Sequence, residues 1–296
     1  MSHLRIAFFG TPEFSVDILT ELSTSGFMPS VIVTAPDAPR GRGLVLTPPE
    51  AKVWAETHDI PVLQPHTLRL NNTPDTDRDI LYNSEWDLFI VASYGKILPQ
   101  ELLDIPQKGT LNVHPSLLPQ YRGASPIRSA ILDDNNEAVG VSIMLLDAGM
   151  DTGPIVAQGR VTLEKEDGDW PPRATVLEKL LAHEGGKLLA EIIPEWIQGT
   201  VVPEPQNESE ATISKKITKD MGLIDLTLDP WKNFLKIQAL EGWPGTYFFI
   251  EKNGAPMRIK ITDAVYKDNE LHLLSVIPEG KKEMTYEVFA QTYLPQ

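Results

Sequence analysis

Four short apolar runs, LRIAFFG (4–10), VIVTAP (31–36), DLFIVASYG (87–95) and TLNVH (110–114), limit what this chain can become. Strict alternation would mark a sheet with one wet face, whereas near-continuous apolar runs mark strands buried on both faces. Helical signals lie between most of them. TPEFSVDILTELSTSG follows the first run, with Pro12 near its start and Gly26 past its end. With PVL (61–63) as a further short strand, this is the βαβ pattern of a largely parallel, helix-covered sheet. GVSIMLLDAGMDTGPIVAQGRVTL reads as two strands around a turn at Gly149 to Gly153, and a long amphipathic helix over 174–198 closes the domain.

The polar, proline-bearing GTVVPEPQNESEATIS is read as a linker, giving an α/β domain over 1–198, a linker over 199–210 and a second domain over 211–296. After a short helix near 229–240, the runs GTYFFI, MRIKITDAVY, ELHLLSVI and YEVFAQTYLP read as strands. Turns at Asn253-Gly254 and Asp268-Asn269 make this a small antiparallel barrel. Charge changes at the same place. Residues 1–210 hold 30 acids and 15 bases, whereas 211–296 hold 11 of each. The net charge of -15 argues against indiscriminate nucleic-acid binding, but a partner meets local potential rather than the total.

Several chemistries are excluded. The first strand ends in GTPEF, with one glycine where a dinucleotide fingerprint needs three, and GRG (41–43) lies in a loop after the second strand. No G-x-x-x-x-G-K-[ST] and no G-x-S-x-G is present. DTG (151–153) occurs once, and an aspartic protease needs two such carboxylates. Histidines 3, 58, 66, 114, 183 and 272 have no metal-ligand spacing, and there is no cysteine, so no metal is expected. With no signal-like start and no long apolar span, a cytoplasmic protein without a membrane partner is expected.

The informative stretch is LNVHPSLLPQYRGASP (111–126). Ligands in open α/β sheets sit at the carboxyl ends of strands, where Asn112 and His114 share one face two residues apart. Pro115 and Pro119 stiffen the loop that follows, and Asp151 after the next strand can return to the same edge. An amide donor, an imidazole and a carboxylate beside an apolar loop suit acyl transfer. Asn112 and a protonated His114 would donate to a developing oxyanion, and His114 would return a proton to the leaving nitrogen. Asp151 would hold the imidazolium and a bridging water. Each residue alone also has an ordinary reading as a strand-end, satisfied or turn-forming side chain.

LNVHPSLLPQYRGASPI, with FFGTPEFS before it and DAGMDTGPI after it, closely resembles the 10-formyltetrahydrofolate-dependent formyltransferase family. The resemblance continues through APDAPRGRG, VASYGKILP, GWPGTY and PEGKKEMTYEVF, the last two typical of its tRNA-modifying branch. It implies a Rossmann-like α/β domain with a mostly parallel sheet, then a smaller OB-like β-barrel. The implied reaction takes the formyl group of 10-formyltetrahydrofolate to the α-amine of methionyl initiator tRNA, with a monomer as the expected state. The family's catalytic Asn, His and Asp fall on Asn112, His114 and Asp151, and its folate-contacting loop on Ser116, Leu117, Leu118 and Pro119.

For tRNA, the resemblance points to Arg40 and Arg42 of the PRGRG loop and to Lys215, Lys216, Lys219, Arg258, Lys260, Lys281 and Lys282. The loop departs from the family pattern: lysines usually follow PRGRG, and here Leu44, Val45 and Leu46 do. Fewer lysines mean weaker phosphate contact and a flatter salt dependence. Gly10, Thr11 and Pro12 open the first helix, either to hold a substrate group at its amino end or simply to turn the chain. Two alternatives stay open. A sugar-nucleotide N-formyltransferase shares the loop and the trio but is disfavoured by WPGTY and PEGKKEMT. A catalytically inactive folate- or RNA-binding homologue has no need of the trio.

Overall fold

The computed structural model describes residues 4–41, 43–71, 73–163, 169–252 and 254–294. The chain gathers into two compact units, each drawn from three stretches. The first comprises Met1–Arg122, Gly140–Val161 and Glu178–Thr212; the second comprises Gly123–Val139, Thr162–Leu177 and Ile213–Gln296.

The apolar runs become strands in chain order: β1 (Ile6–Gly10), β2 (Val31–Val33), a hairpin of β3 (Ala38–Arg40) and β4 (Val45–Thr47), then β5 (Val62–Leu63), β6 (Leu88–Ala92) and β7 (Thr110–His114). The two-residue β8 (Arg122–Gly123), then β9 (Gly140–Leu145) and β10 (Ile155–Arg160), follow. Seven of them form one sheet in the order β10-β9-β7-β6-β1-β2-β5. β5, β2, β1, β6 and β7 run parallel, whereas β9 pairs antiparallel with both β7 and β10. The architecture is a Rossmann-like α/β sheet. Phe8 and Phe9 are adjacent in β1, so they point to opposite faces, and both are fully buried. The sheet is therefore covered on both sides, as its near-continuous apolar strands require.

One close approach fixes the face of β7. A Cβ at Gly185, in the helix Ala174–Gln198, would lie 2.8 Å from Cγ1 of Val113. The helix therefore lies directly on the face that Val113 presents. Asn112 and His114, on either side of Val113, project to the opposite face.

In the second unit, after β11 (Ile213–Ser214), strands β12 (Thr246–Lys252), β13 (Ala255–Lys267), β14 (Glu270–Pro278) and β15 (Met284–Thr285) form an antiparallel sheet in that order. Its core holds Ile224, Ile237, Phe248, Ile259, Ile261, Leu273, Val276 and Phe289. Asp268 and Asn269 both take positive φ, 54° and 64°, as a two-residue hairpin turn demands. Gly254 also takes a positive φ; its neighbour Asn253 lies outside the described residues.

The expected last strand is a helix, Tyr286–Tyr293, capped by the Thr285 hydroxyl accepting from the Val288 N–H. Its ring-bearing residues, Tyr286, Phe289 and Tyr293, fall at i, i+3 and i+7, a helical spacing that brings them into mutual contact. Among the described residues no helix is long and apolar enough to cross a membrane.

Candidate active site

The carboxyl ends of β1, β6 and β7 lie level, since Gly10 pairs with Ala92 and Val91 with Asn112. His114 ends β7 and is 4 % exposed; Asn112 is 8 % exposed. The imidazole Nε2 donates to the Tyr121 carbonyl at 3.0 Å, which leaves Nδ1 toward Asp151 Oδ2 at 3.7 Å. That gap is longer than a hydrogen bond and short enough for the carboxylate to favour a proton on the ring. Burial pushes the His114 imidazole below its ordinary value, while the Asp151 carboxylate and the Tyr121 carbonyl oppose that push. The resting side chain is therefore neutral at neutral pH. Nε2 is already engaged, so Nδ1 is the nitrogen left to take a proton.

Asn112 differs from its neighbours. Among the described residues its carboxamide has no hydrogen-bond partner, although the residue is buried. The carboxamide is not among the fully enclosed polar atoms that lack a partner, so it keeps a small opening to solvent through which a ligand oxygen can reach it.

The loop after β7 is pinned from outside. The Ser142 hydroxyl on β9 accepts from the Leu118 N–H at 3.0 Å and donates to the Ser116 carbonyl at 2.7 Å. The Gln158 amide on β10 donates to the Leu118 carbonyl at 2.9 Å and to the Ser142 hydroxyl at 2.7 Å. Ser116 closes its own turn onto the Gln120 carbonyl at 2.6 Å. Ser116, Leu117, Leu118 and Pro119 thus form a preset rim beside His114. Sequence reading missed Ser142 and Gln158, because strand residues facing a distant loop carry no local signal.

Gly10, Thr11 and Pro12 form the turn before the helix Glu13–Thr24. The Thr11 N–H is taken by the Ser15 hydroxyl at 3.0 Å, and the Thr11 hydroxyl by the Tyr94 carbonyl at 3.3 Å. The first bond closes the turn onto the helix it opens, and the second ties it to the segment after β6.

The bases expected to meet RNA are spread. Arg40 lies on the β3–β4 hairpin and pairs with Glu50, which holds its pKa up. Arg42 lies outside the described residues. Leu44, Val45 and Leu46 are exposed at 72 %, 67 % and 64 %, so they cap no apolar surface within the chain. Lys215, Lys216, Lys281 and Lys282 are exposed on the second unit. There Arg258 stacks over the Tyr247 ring at 3.8 Å, beside the half-exposed Phe249.

Residues 4–192 match the family described as Formyl transferase. The chain is 42% identical to the methionyl-tRNA formyltransferase of Chloroflexus aurantiacus, over 86% of this chain and 79% of that protein. It is 37% identical to the methionyl-tRNA formyltransferase of Bacillus licheniformis, over 97% of this chain and 94% of that one. A solved structure, the methionyl-tRNA formyltransferase from Clostridium thermocellum, superposes with a TM-score of 0.58 at 16% identity, covering 95% of this chain and 99% of that one. A 4-N formyltransferase from Francisella tularensis superposes with a TM-score of 0.63 at 17% identity, covering 88% and 98%. At such identities these two likenesses speak for the fold alone.

Proposed function

The chain belongs to the formyl transferase family, among its methionyl-tRNA formyltransferases, and on that footing we infer that it moves the formyl group of 10-formyltetrahydrofolate to the α-amine of methionyl initiator tRNA. The observation that carries the catalytic assignment is the buried His114, anchored at Nε2 and bare at Nδ1, with Asp151 beside it.

The roles follow from charge. When the amine attacks the formyl carbon, negative charge grows on the formyl oxygen and the amine becomes acidic. The Asn112 carboxamide donates to that oxygen, a contact of a kind typically worth about 3 kcal/mol in the transition state. His114 Nδ1 takes the proton released by the amine and returns it to the leaving nitrogen. The transient imidazolium lies next to the Asp151 carboxylate, which steadies it. The attacking amine, with an ordinary pKa of about 8, needs orientation more than a strong base.

The donor set fits a folate donor. The unpartnered Asn112 amide suits a formyl oxygen, and the pinned rim Ser116–Leu117–Leu118–Pro119 suits a flat heterocycle at the sheet edge. When bound, the folate supplies the one-carbon unit; everything else is done by these side chains.

Residues 1–198 would serve as the catalytic domain and 211–296 as an OB-like domain for tRNA, joined through 199–210. The exposed Lys215, Lys216, Lys281 and Lys282 suit phosphates, and the Tyr247–Arg258 stack beside Phe249 suits an unstacked base. Such a reaction belongs to translation initiation in the cytoplasm. Incubation with 10-formyltetrahydrofolate and either charged initiator tRNA or amino-sugar nucleotides tests the assignment. Formylmethionyl-tRNA is expected; a formylated sugar in its place overturns it.

A further inference from the structure

We propose that Gln206 is a positioning residue for the His114–Asp151 pair, and that the strap 204–212 is thereby part of the catalytic apparatus; this rests on the active-site reading above.

The argument begins at Arg122, which is 5 % exposed. Both terminal nitrogens of its guanidinium donate to the Glu208 carboxylate, at 2.9 and 2.7 Å, and its Nε donates to Gln206 Oε1 at 2.9 Å. With Oε1 fixed by that donor, the Gln206 amide nitrogen faces the carbonyls of Asp151 at 2.8 Å and Gly153 at 2.7 Å. The opposite amide orientation would set nitrogen against a guanidinium and oxygen against two carbonyls, so the partners determine the orientation. Gln206 is thus a two-pronged donor closing the turn that carries Asp151.

That turn needs holding. Asp151 has φ +54°, a left-handed conformation that costs a non-glycine residue about 1–3 kcal/mol and persists only when its surroundings impose it. At the far side of the turn, a Cβ on Gly153 would lie 1.9 Å from the Leu145 carbonyl oxygen, so the chain there has no slack. The strap reinforces the same turn through Glu204, which exchanges two backbone hydrogen bonds with Ile155, both 2.8 Å.

The strap also reaches the histidine's side of the site. The Thr212 hydroxyl accepts from the Tyr121 N–H at 2.8 Å, and the Thr212 carbonyl accepts from the Arg122 N–H at 2.9 Å. Tyr121 in turn offers the carbonyl that anchors His114 Nε2. One segment therefore ties the turn bearing Asp151 to the anchor of His114, and Gln206 is its contact to the carboxylate's own backbone. All of these residues belong to the first compact unit.

The test compares Gln206→Glu, Gln206→Ala, Asp151→Asn and the Gln206→Glu/Asp151→Asn double variant in steady-state formylation. Glutamate at 206 keeps the side chain's size and turns the Arg122 contact into an ion pair. It replaces the two-carbonyl donor by an oxygen, so the strap stays and only the grip on the turn is lost. A displacement of about 1 Å at a reacting group can cost a hundredfold in rate, so kcat of Gln206→Glu should fall tenfold to a hundredfold, with KM for the folate within about twofold. The double variant should be no slower than Asp151→Asn alone. Wild-type kcat in Gln206→Glu beside an impaired Asp151→Asn overturns the proposal, as do losses that add in the double variant. Full activity in Asp151→Asn overturns the active-site reading instead. Should Gln206→Ala fail to fold, Gln206→Glu decides alone.

Discussion

His114 Nδ1 stands 3.7 Å from Asp151 Oδ2, while the other ring nitrogen is committed to the Tyr121 carbonyl. In the proposed reaction only one nitrogen is therefore free to change its protonation, and it would do so against a carboxylate. Burial holds the imidazole below its ordinary 6.5, and Asp151 pulls it partly back.

The sign of the pH dependence follows. Proton acceptance needs the neutral ring, so activity is lost as pH falls through the lowered value, and the acid limb of kcat/KM should lie below pH 6.5. Asp151→Asn removes the upward pull, so the limb should move lower still while kcat drops about a hundredfold. The stability term has the same sign: it is complete above 6.5 and lost as pH falls toward the folded-state value. A limb above 6.5, or one that rises in Asp151→Asn, would contradict the assignment.

Asn112→Ala separates chemistry from folding. Its carboxamide has no partner among the described residues, so truncation should leave the melting temperature unchanged. Loss of one oxyanion donor should lower kcat about a hundredfold with little change in KM for the folate. A large fall in melting temperature would show that the amide serves the fold instead.

Ser142→Ala should reverse that split. It strips a buried acceptor from the Leu118 N–H and a buried donor from the Ser116 carbonyl, leaving groups that cost about 1–3 kcal/mol when unpaired. The melting temperature should fall, and KM for the folate should rise more than kcat declines. Thermal melts alongside folate titration decide; an unchanged KM removes the rim from folate binding.

Much of this was legible in the sequence, for identifiable reasons. β7 spans the predicted 110–114, because a short, continuous apolar run buried between two neighbouring strands suits a strand covered on both faces. Asn112 and His114 share a face of one strand and Asp151 follows the next, so spacing makes the trio possible, while it is the family resemblance that singles these residues out as catalytic candidates. YEVFAQTYLP reads as a strand only if its alternation is weighed above the helical spacing of Tyr286, Phe289 and Tyr293, and Tyr286–Tyr293 is a helix. Arg122 stood in the quoted stretch, yet its role depends on Gln206 and Glu208, which lie more than eighty residues away among prolines and acids. Composition there says linker, and only the fold brings those side chains to the active site. Ser142 and Gln158 were hidden for the same reason.

The exposed lysines of the second unit make the last prediction. Lys215 and Lys216 are exposed and form no ion pair among the described residues, whereas Arg40 is already engaged by Glu50. Free cations meeting phosphates release counterions, and each contact contributes about 0.9 to the slope of log affinity against log salt on a double helix. Lys215→Ala/Lys216→Ala should therefore raise KM for charged tRNA and flatten its salt dependence by one to two contacts' worth. Arg40→Ala should do less, since that guanidinium's donors are already spent on Glu50 and are not free to meet a phosphate. KM for tRNA measured across a salt series, with the folate saturating, reads both effects. Unchanged slopes in the double variant would place the tRNA elsewhere. A larger effect from Arg40 would show that the hairpin opens its ion pair to meet RNA.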